Sequence, residues 1–361
     1  MKWSLSLGRI SGIEVFVHWT FLILIGWILF SHINMGHGWE QSLVGVVFIL
    51  VLFACVLLHE LGHALTGKRY GVTTKNIVLL PIGGVANMEK MPEKPVQELW
   101  VALAGPAVNL VIAIVLFFVL RQSGGMPSLL DMDAHMSSSN FLFNLFLVNI
   151  LLAVFNLIPA FPMDGGRVLR ALLAMKFDRV KATEIAARTG QFLAIGFVFL
   201  GMFSNVWLVF IGLFVFLGAG AESSYEATRS VLSKYKVSDV LMKKYTVLSA
   251  GEPIERAVEH LLNGQEKEFL ISENNKVTGF VTRDEIIKGL SELGKTAPLG
   301  NIARRDFPAL NPELGLDKAH DMMAKHGISF SPVYKDGELA GVLDTENITE
   351  MILVDKAITK S

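Results

Sequence analysis

The sequence predicts a polytopic α-helical membrane protein of six transmembrane helices, followed by a C-terminal α/β unit. Three observations carry that prediction. Apolar stretches of bilayer-spanning length recur between residues 13 and 219, Lys and Arg gather in alternate connections between them, and from Val237 onward a soluble composition repeats at a constant offset of 62 residues.

With 52% hydrophobic and 18% charged residues and a mean hydropathy of +0.48, the 361-residue chain holds more apolar material than a soluble core of that size needs. Its 32 basic and 33 acidic residues leave a net charge of −1, with no basic excess to suggest nucleic acid as a partner. A single cysteine, Cys55, excludes an intramolecular disulfide framework. Lys2 and Arg9 precede the first apolar run and no small-residue cleavage site follows promptly, so an uncleaved first helix is expected.

The expected spans are 13–30, 42–64, 98–120, 141–158, 191–203 and 206–219, the last two forming a close pair joined at Ser204-Asn205. Connections 66–97 and 165–190 hold five and six Lys or Arg residues, whereas 31–41, 122–140 and Ser204-Asn205 hold none. Positive loops face the cytoplasm, which places both termini there in a multi-pass protein of the cell membrane. Between the second and third spans, 76–88 is apolar, β-branched and broken by Pro81, Gly83 and Gly84; it reads as strand, in a short sheet or re-entrant hairpin whose edge could accept an unwound peptide.

Within the second span, residues 42–58 carry no charge, and then His59-Glu60-Leu61-Gly62-His63 appears. On a helix, residues four apart share a face, so His59 and His63 can offer two imidazoles to one zinc ion while Glu60 serves as general base, the arrangement of a metal-dependent peptidase using metal-activated water. Ionisable groups at membrane depth are costly and point to chemistry there. Zinc needs a third protein ligand, and the best candidate is Asp164, which follows Pro159 and Pro162 at the same end of the fourth span. Cys55, one turn before His59, is read as a small buried hydrophobe, and His18 beside Trp19 as an interfacial residue. His32, His37 and His135 fall in external loops and His260, His320 and His326 in the repeat, none with ligand spacing. Asn109 and Asn156 are amides in apolar spans that either hold substrate or the oxyanion, or pack helices together.

In the repeat, Val240 corresponds to Ile302, Leu248 to Leu310, Ala257 to Ala319, Ile271 to Val333 and Gly279 to Gly341. Each copy reads strand, helix, two strands joined at a turn (Glu273-Asn274-Asn275; Lys335-Asp336-Gly337) and a closing helix. The expected domains are 1–222 in the membrane, a linker over 223–236, and repeats over 237–295 and 296–361.

The residues of the membrane half resemble those of the site-2 proteases, zinc metalloproteases that cut transmembrane helices. The resemblance rests on His59-Glu60-x-x-His63, the glycine segment from Pro81 to Asn87, Gly105-Pro106-x-x-Asn109, and Asn156 through Gly166 with Asp164 as the third ligand. It implies one zinc per chain, a membrane-anchored protein as substrate, and Gly83 and Gly84 beside the cleavage site. The repeat resembles a CBS (cystathionine-β-synthase-type) domain pair. Such pairs bind adenine nucleotides through Thr/Ser-x-x-Asp after a glycine strand. Here the first copy has Thr282-Arg283-Asp284-Glu285, with Glu285 in the aspartate position, and the second has Asp344-Thr345-Glu346-Asn347, lacking both. The resemblance thus implies an adenine nucleotide at Thr282, Asp284 and Glu285, and a homodimer formed through the CBS domains. A CBS-regulated ion or metal transporter, with the same His, Glu and Asp residues as an ion path, is the rival reading; a non-catalytic sensor would have no use for Glu60.

Overall fold

A computed structural model of the chain describes residues 4–36, 38–81, 83–88, 91–123, 140–264, 266–274 and 276–360. His37, Ile82, His135 with most of its loop, and Asn275 of the first repeat's turn lie outside the described residues. The chain divides into two compact units, Met1–Ser224 and Tyr225–Ser361.

The first unit opens on a hairpin of β1 (Ser4–Ile10) and β2 (Ile13–His18). This corrects the expected span from residue 13: the helix, α1, runs only over Thr20–Asn34. Ile13-Glu14-Val15-Phe16-Val17-His18 alternates in burial with period two, which a hydropathy window averages into an apolar run. Ile13 and Val15 are buried while Glu14 ion-pairs with Arg9 across the hairpin at 2.6 Å. β2 then pairs in parallel with β3 (Thr74–Leu80), and β3 pairs antiparallel with β4 (Gly83–Met88). The expected strand character of 76–88 is therefore realised in a four-stranded sheet ordered β1-β2-β3-β4, with β4 at one edge.

Four helices are long and apolar enough to cross a membrane: α2 (Trp39–Arg69), α3 (Pro95–Ser123), α6 (Arg179–Ser204) and α7 (Val206–Leu232). Two shorter apolar helices, α1 and α4 (Phe141–Asn156), complete the apolar set among the described residues. The stretch read as a basic connection over 165–190 is itself helical, comprising α5 (Asp164–Leu173) and the first turns of α6. Asp178 starts α6 by accepting the Lys181 N–H at its N-cap, which extends the short fifth span by twelve residues, from 191 back to 179. The linker expected over 223–236 is mostly α7, so the boundary between the units falls inside a continuous helix.

α2 packs on α3 and α3 on α4 and α5. Gly62 makes the first of these contacts close, since a Cβ there would stand 2.9 Å from the Ala104 carbonyl oxygen.

The second unit follows the repeat. β5 (Val247–Ser249), α8 (Ile254–Asn263), β6 (Glu268–Glu273), β7 (Lys276–Thr282) and α9 (Arg283–Leu293) form the first copy. α10 (Leu316–His326), β8 (Phe330–Lys335), β9 (Glu338–Asp344) and α11 (Thr345–Lys360) form the second, where the counterpart of β5 is reduced to a bridge between Leu310 and Val333. Leu270, Phe280, Val333, Val342 and Leu343 are buried together in a cluster that both copies build, while Leu248, Phe269, Ile271 and Val281 belong to a second one.

Candidate metal centre

The three converging side chains come from two helices. α2 brings His59 and His63 to the same face near its C-terminal end, and α5 begins with Asp164. All three residues are buried, and their side chains converge: His63 Nε2 lies 3.1 Å from His59 Nε2 and 3.0 Å from Asp164 Oδ2, and His59 Nε2 lies 3.2 Å from the same oxygen.

Which ring nitrogen carries the proton follows from carbonyl groups, which only accept. His63 Nδ1 stands 2.7 Å from the Val101 carbonyl and must donate to it. For His59 the deduction starts at the Leu145 carbonyl, which accepts from Asn149 Nδ2 at 2.8 Å; Asn149 Oδ1 then accepts from Asn109 Nδ2 at 2.9 Å, and Asn109 Oδ1 faces His59 Nδ1 at 2.5 Å, so His59 Nδ1 donates. Both Nε2 atoms are therefore lone-pair acceptors, and they point at each other and at a carboxylate. One proton could bridge one such pair; a cation between them satisfies all three. The donor set of two imidazoles and a carboxylate suits zinc, whose tetrahedral ligand atoms at bond lengths of 2.0–2.1 Å lie about 3.3 Å apart. The three residues fit the ion.

Both ends of the Asn109 amide are engaged, by His59 and by Asn149, and the residue also borders the cavity beside Glu60. Asn149 was not singled out from the sequence. The only signal was an amide in an apolar helix, and its role depends on contacts 40 residues away. Gly105 is also decisive, because a Cβ there would stand 2.2 Å from His63 Nε2 and 2.7 Å from His59 Nε2.

Glu60 is not among the converging atoms. It lines a cavity of about 280 Å³ next to His59, together with Gly83, Gly84, Asn109 and Asn156. A Cβ on Gly84 would lie 2.7 Å from Glu60 Cγ, so the edge strand β4 passes directly over this side chain. Asn156 borders the same cavity, with its Nδ2 donating to the Leu152 carbonyl at 3.0 Å. Asp164 continues into Gly165 and Gly166, whose missing Cβ atoms would collide with backbone at Ile158 and Phe161. Its second oxygen, Oδ1, stands 4.0 Å from Arg167.

The nucleotide motif is arranged differently. Thr282 and Glu285 form a capping box at the start of α9, the Thr282 hydroxyl and N–H both donating to Glu285, while Asp284 is exposed and faces Arg283 at 3.6 Å. A cavity of about 670 Å³ lies between the repeats, bordered by Ser272, Lys276, Tyr334 and Glu338 rather than by this motif.

Nearby, burial and the carboxylates of Asp344 and Glu346 push the Glu268 carboxyl up to about 7 from its usual 4.5. Between those two pH values the folded protein holds a proton that the unfolded chain has released, so stability is full below about 4.5 and falls as pH rises through 7. Urea unfolding of the second unit, followed by hydrogen exchange in β6 and β7, should show a loss of about 1–2 kcal/mol from pH 5 to pH 8, allowing for the partial exposure of Glu268. Glu268→Gln should flatten that dependence; an unchanged slope would assign the titration to another group.

Residues 47–132 and 122–197 match Peptidase family M50, and residues 237–292 and 299–354 match the CBS domain. Zinc metalloprotease MJ0392 of Methanocaldococcus jannaschii is 36% identical over 282 residues, 78% of each chain. Rip3 of Mycobacterium tuberculosis is 27% identical over 98% of this chain and 93% of that protein. Among solved structures, the site-2 protease from M. jannaschii covers 61% of this chain and 95% of its own, at 41% identity and a TM-score of 0.45. With a relative this similar over most of the chain, and the converging His59, His63 and Asp164 inside the matched segment, the chain belongs to peptidase family M50, the site-2 proteases, as a zinc metalloprotease with a C-terminal CBS domain pair.

Proposed function

We propose that the chain is an intramembrane zinc endopeptidase that cuts transmembrane segments of membrane-anchored proteins, and that its CBS pair regulates cleavage. In this reading α1, α2, α3, α4, α6 and α7 are the six spans, both termini are cytoplasmic, 1–222 is the protease domain, 223–236 the connection, and 237–295 and 296–361 the two regulatory halves. The observation that carries it is the convergence of His59, His63 and Asp164 beside a cavity that Glu60 and the sheet edge share.

His59, His63 and Asp164 hold one zinc ion, which when bound polarises the scissile carbonyl and makes water more acidic. Glu60 takes the proton of the attacking water as the C–O bond forms, and delivers it to the leaving nitrogen as the tetrahedral adduct collapses and the C–N bond breaks. A substrate helix must unwind to be cut. β4 offers it backbone partners at Gly83 and Gly84, where no side chain stands between the strand and Glu60. Asn156 supplies an amide to the substrate backbone or the oxyanion. Asn109 keeps the His59 lone pair aimed at the metal. An adenine nucleotide is the ligand proposed for the CBS pair, at Thr282, Asp284 and Glu285 once the capping box opens, and self-association through these domains gives a homodimer.

The test is full-length protein in detergent, assayed for bound zinc and for cleavage of a single-span reporter with and without ATP or AMP. About one zinc per chain and cleavage within the reporter's apolar segment are expected. Zinc without cleavage, together with metal flux in liposomes, would replace the protease with a transporter.

A further inference from the structure

Among the described residues, the largest fully buried side chain is an arginine. Arg170 of α5 is 1% exposed, and Glu98 of α3 is 0% exposed beside it. Arg170 Nε and Nη2 both contact Glu98 Oε1, at 2.8 and 2.6 Å, while Nη1 contacts Glu222 Oε1 on α7 at 2.5 Å. The other oxygen of Glu98 is held by Arg179 of α6 at 2.8 Å. Two cations and two anions thus tie four helices together. A buried pair of this kind contributes little net stability over apolar residues of similar size, but it fixes geometry, because guanidinium and carboxylate meet in few orientations.

What it fixes is the metal site. Arg170 lies six residues after Asp164, about 9 Å along α5. Its guanidinium also stacks on Phe161, three residues before Asp164, at 5.1 Å from the ring centroid. One side chain thus ties down the segment that carries Asp164, through Phe161 before it and from Arg170's own place on α5 after it. Glu98, the partner of Arg170, lies one turn before Val101, whose carbonyl accepts the Nδ1 proton of His63. The same ion pair sets α3, which orients His63, against α5, which carries Asp164. Its outer arm, Glu222, belongs to α7 two residues before the boundary at Ser224, and α7 runs on unbroken to Leu232.

We propose that the Glu98–Arg170–Glu222 cluster is the positioning device that registers Asp164 with the histidine pair, and that its Arg170–Glu222 arm makes the register depend on α7. The inference rests on the metal site of the proposed function. It deepens that reading by linking α7, the helix that continues past Ser224, to the segment of Asp164 through Arg170.

The experiment uses full-length protein in detergent, zinc affinity by chelator competition, and the visible spectrum of the Co²⁺-loaded form. Glu222→Gln and Arg170→Lys should each weaken zinc binding about tenfold or more and shift the cobalt bands, as loss of groups that orient ligands does. Arg170→Met strips the buried Glu98 Oε1 of its guanidinium partner and can fail to fold, so the decision rests on the two milder variants. Wild-type zinc affinity and an unchanged cobalt spectrum in both would overturn the coupling, whatever happens to the melting temperature. Wild-type protein that binds no zinc would overturn the site itself, and this inference with it.

Discussion

Glu60→Gln is expected to leave zinc in place and to lower the cleavage rate by about 10²–10⁴-fold, the contribution of a positioned general base. The two halves of that result have separate causes. Zinc stays because the three atoms that converge are His59 Nε2, His63 Nε2 and Asp164 Oδ2, and Glu60 is not one of them. Cleavage falls because an amide of the same shape occupies the same space under Gly84 but cannot take a proton from water. Single-turnover cleavage of the reporter, with metal content measured on the same sample, separates the two. Loss of zinc would make Glu60 a ligand, and retention of a tenth or more of the activity would place the base elsewhere.

The motif that leads to this prediction was fully legible in the sequence, and the reason is geometric. A spacing of four on a helix fixes two side chains to one face without any knowledge of the fold, so His59 and His63 could be paired on sight. Asp164 was legible as a lone acid following two prolines at the end of a span. What surrounds these residues was not. The partners of the imidazoles, Val101 and Asn109, lie 38 and 50 residues away, and no local pattern distinguishes an amide that orients a ligand from one that binds substrate. Arg170 was hidden for a different reason. By sequence it falls among the positive charges of a basic stretch, where most such residues are solvated, whereas its carboxylate partners lie 72 and 52 residues distant. At the N-terminus the error was one of period: β2 alternates every second residue, and a window tuned to spans merged it with α1. The repeat was read from internal similarity alone and its elements followed, since a unit that appears twice supplies its own comparison.

Gly105→Ala should cost the protein its zinc although it adds a single methyl group to a helix that otherwise favours alanine. The added carbon would stand 2.2 Å from His63 Nε2, 2.6 Å from His63 Cε1 and 2.7 Å from His59 Nε2, all well inside contact distance. Something has to move, and each candidate is held. The imidazoles cannot swing without breaking their Nδ1 bonds to the Val101 carbonyl and Asn109, and both of those partners are on α3 itself, four residues either side of the glycine. α3 could instead withdraw from α2, which would carry the same two partners away from the rings they orient. Either movement opens the ligand set, so zinc affinity should fall by about 100-fold or more, the upper end of what loss of groups that orient ligands produces. Overpacking should also destabilise the apo protein by about 1–3 kcal/mol. Gly196→Ala, on α6, where a new Cβ meets nothing within 4 Å, is the control expected to bind zinc as the wild type does. If Gly105→Ala did the same, the histidines could not be seated against α3, and both the tautomer assignment and the ligand set that depends on it would fall together.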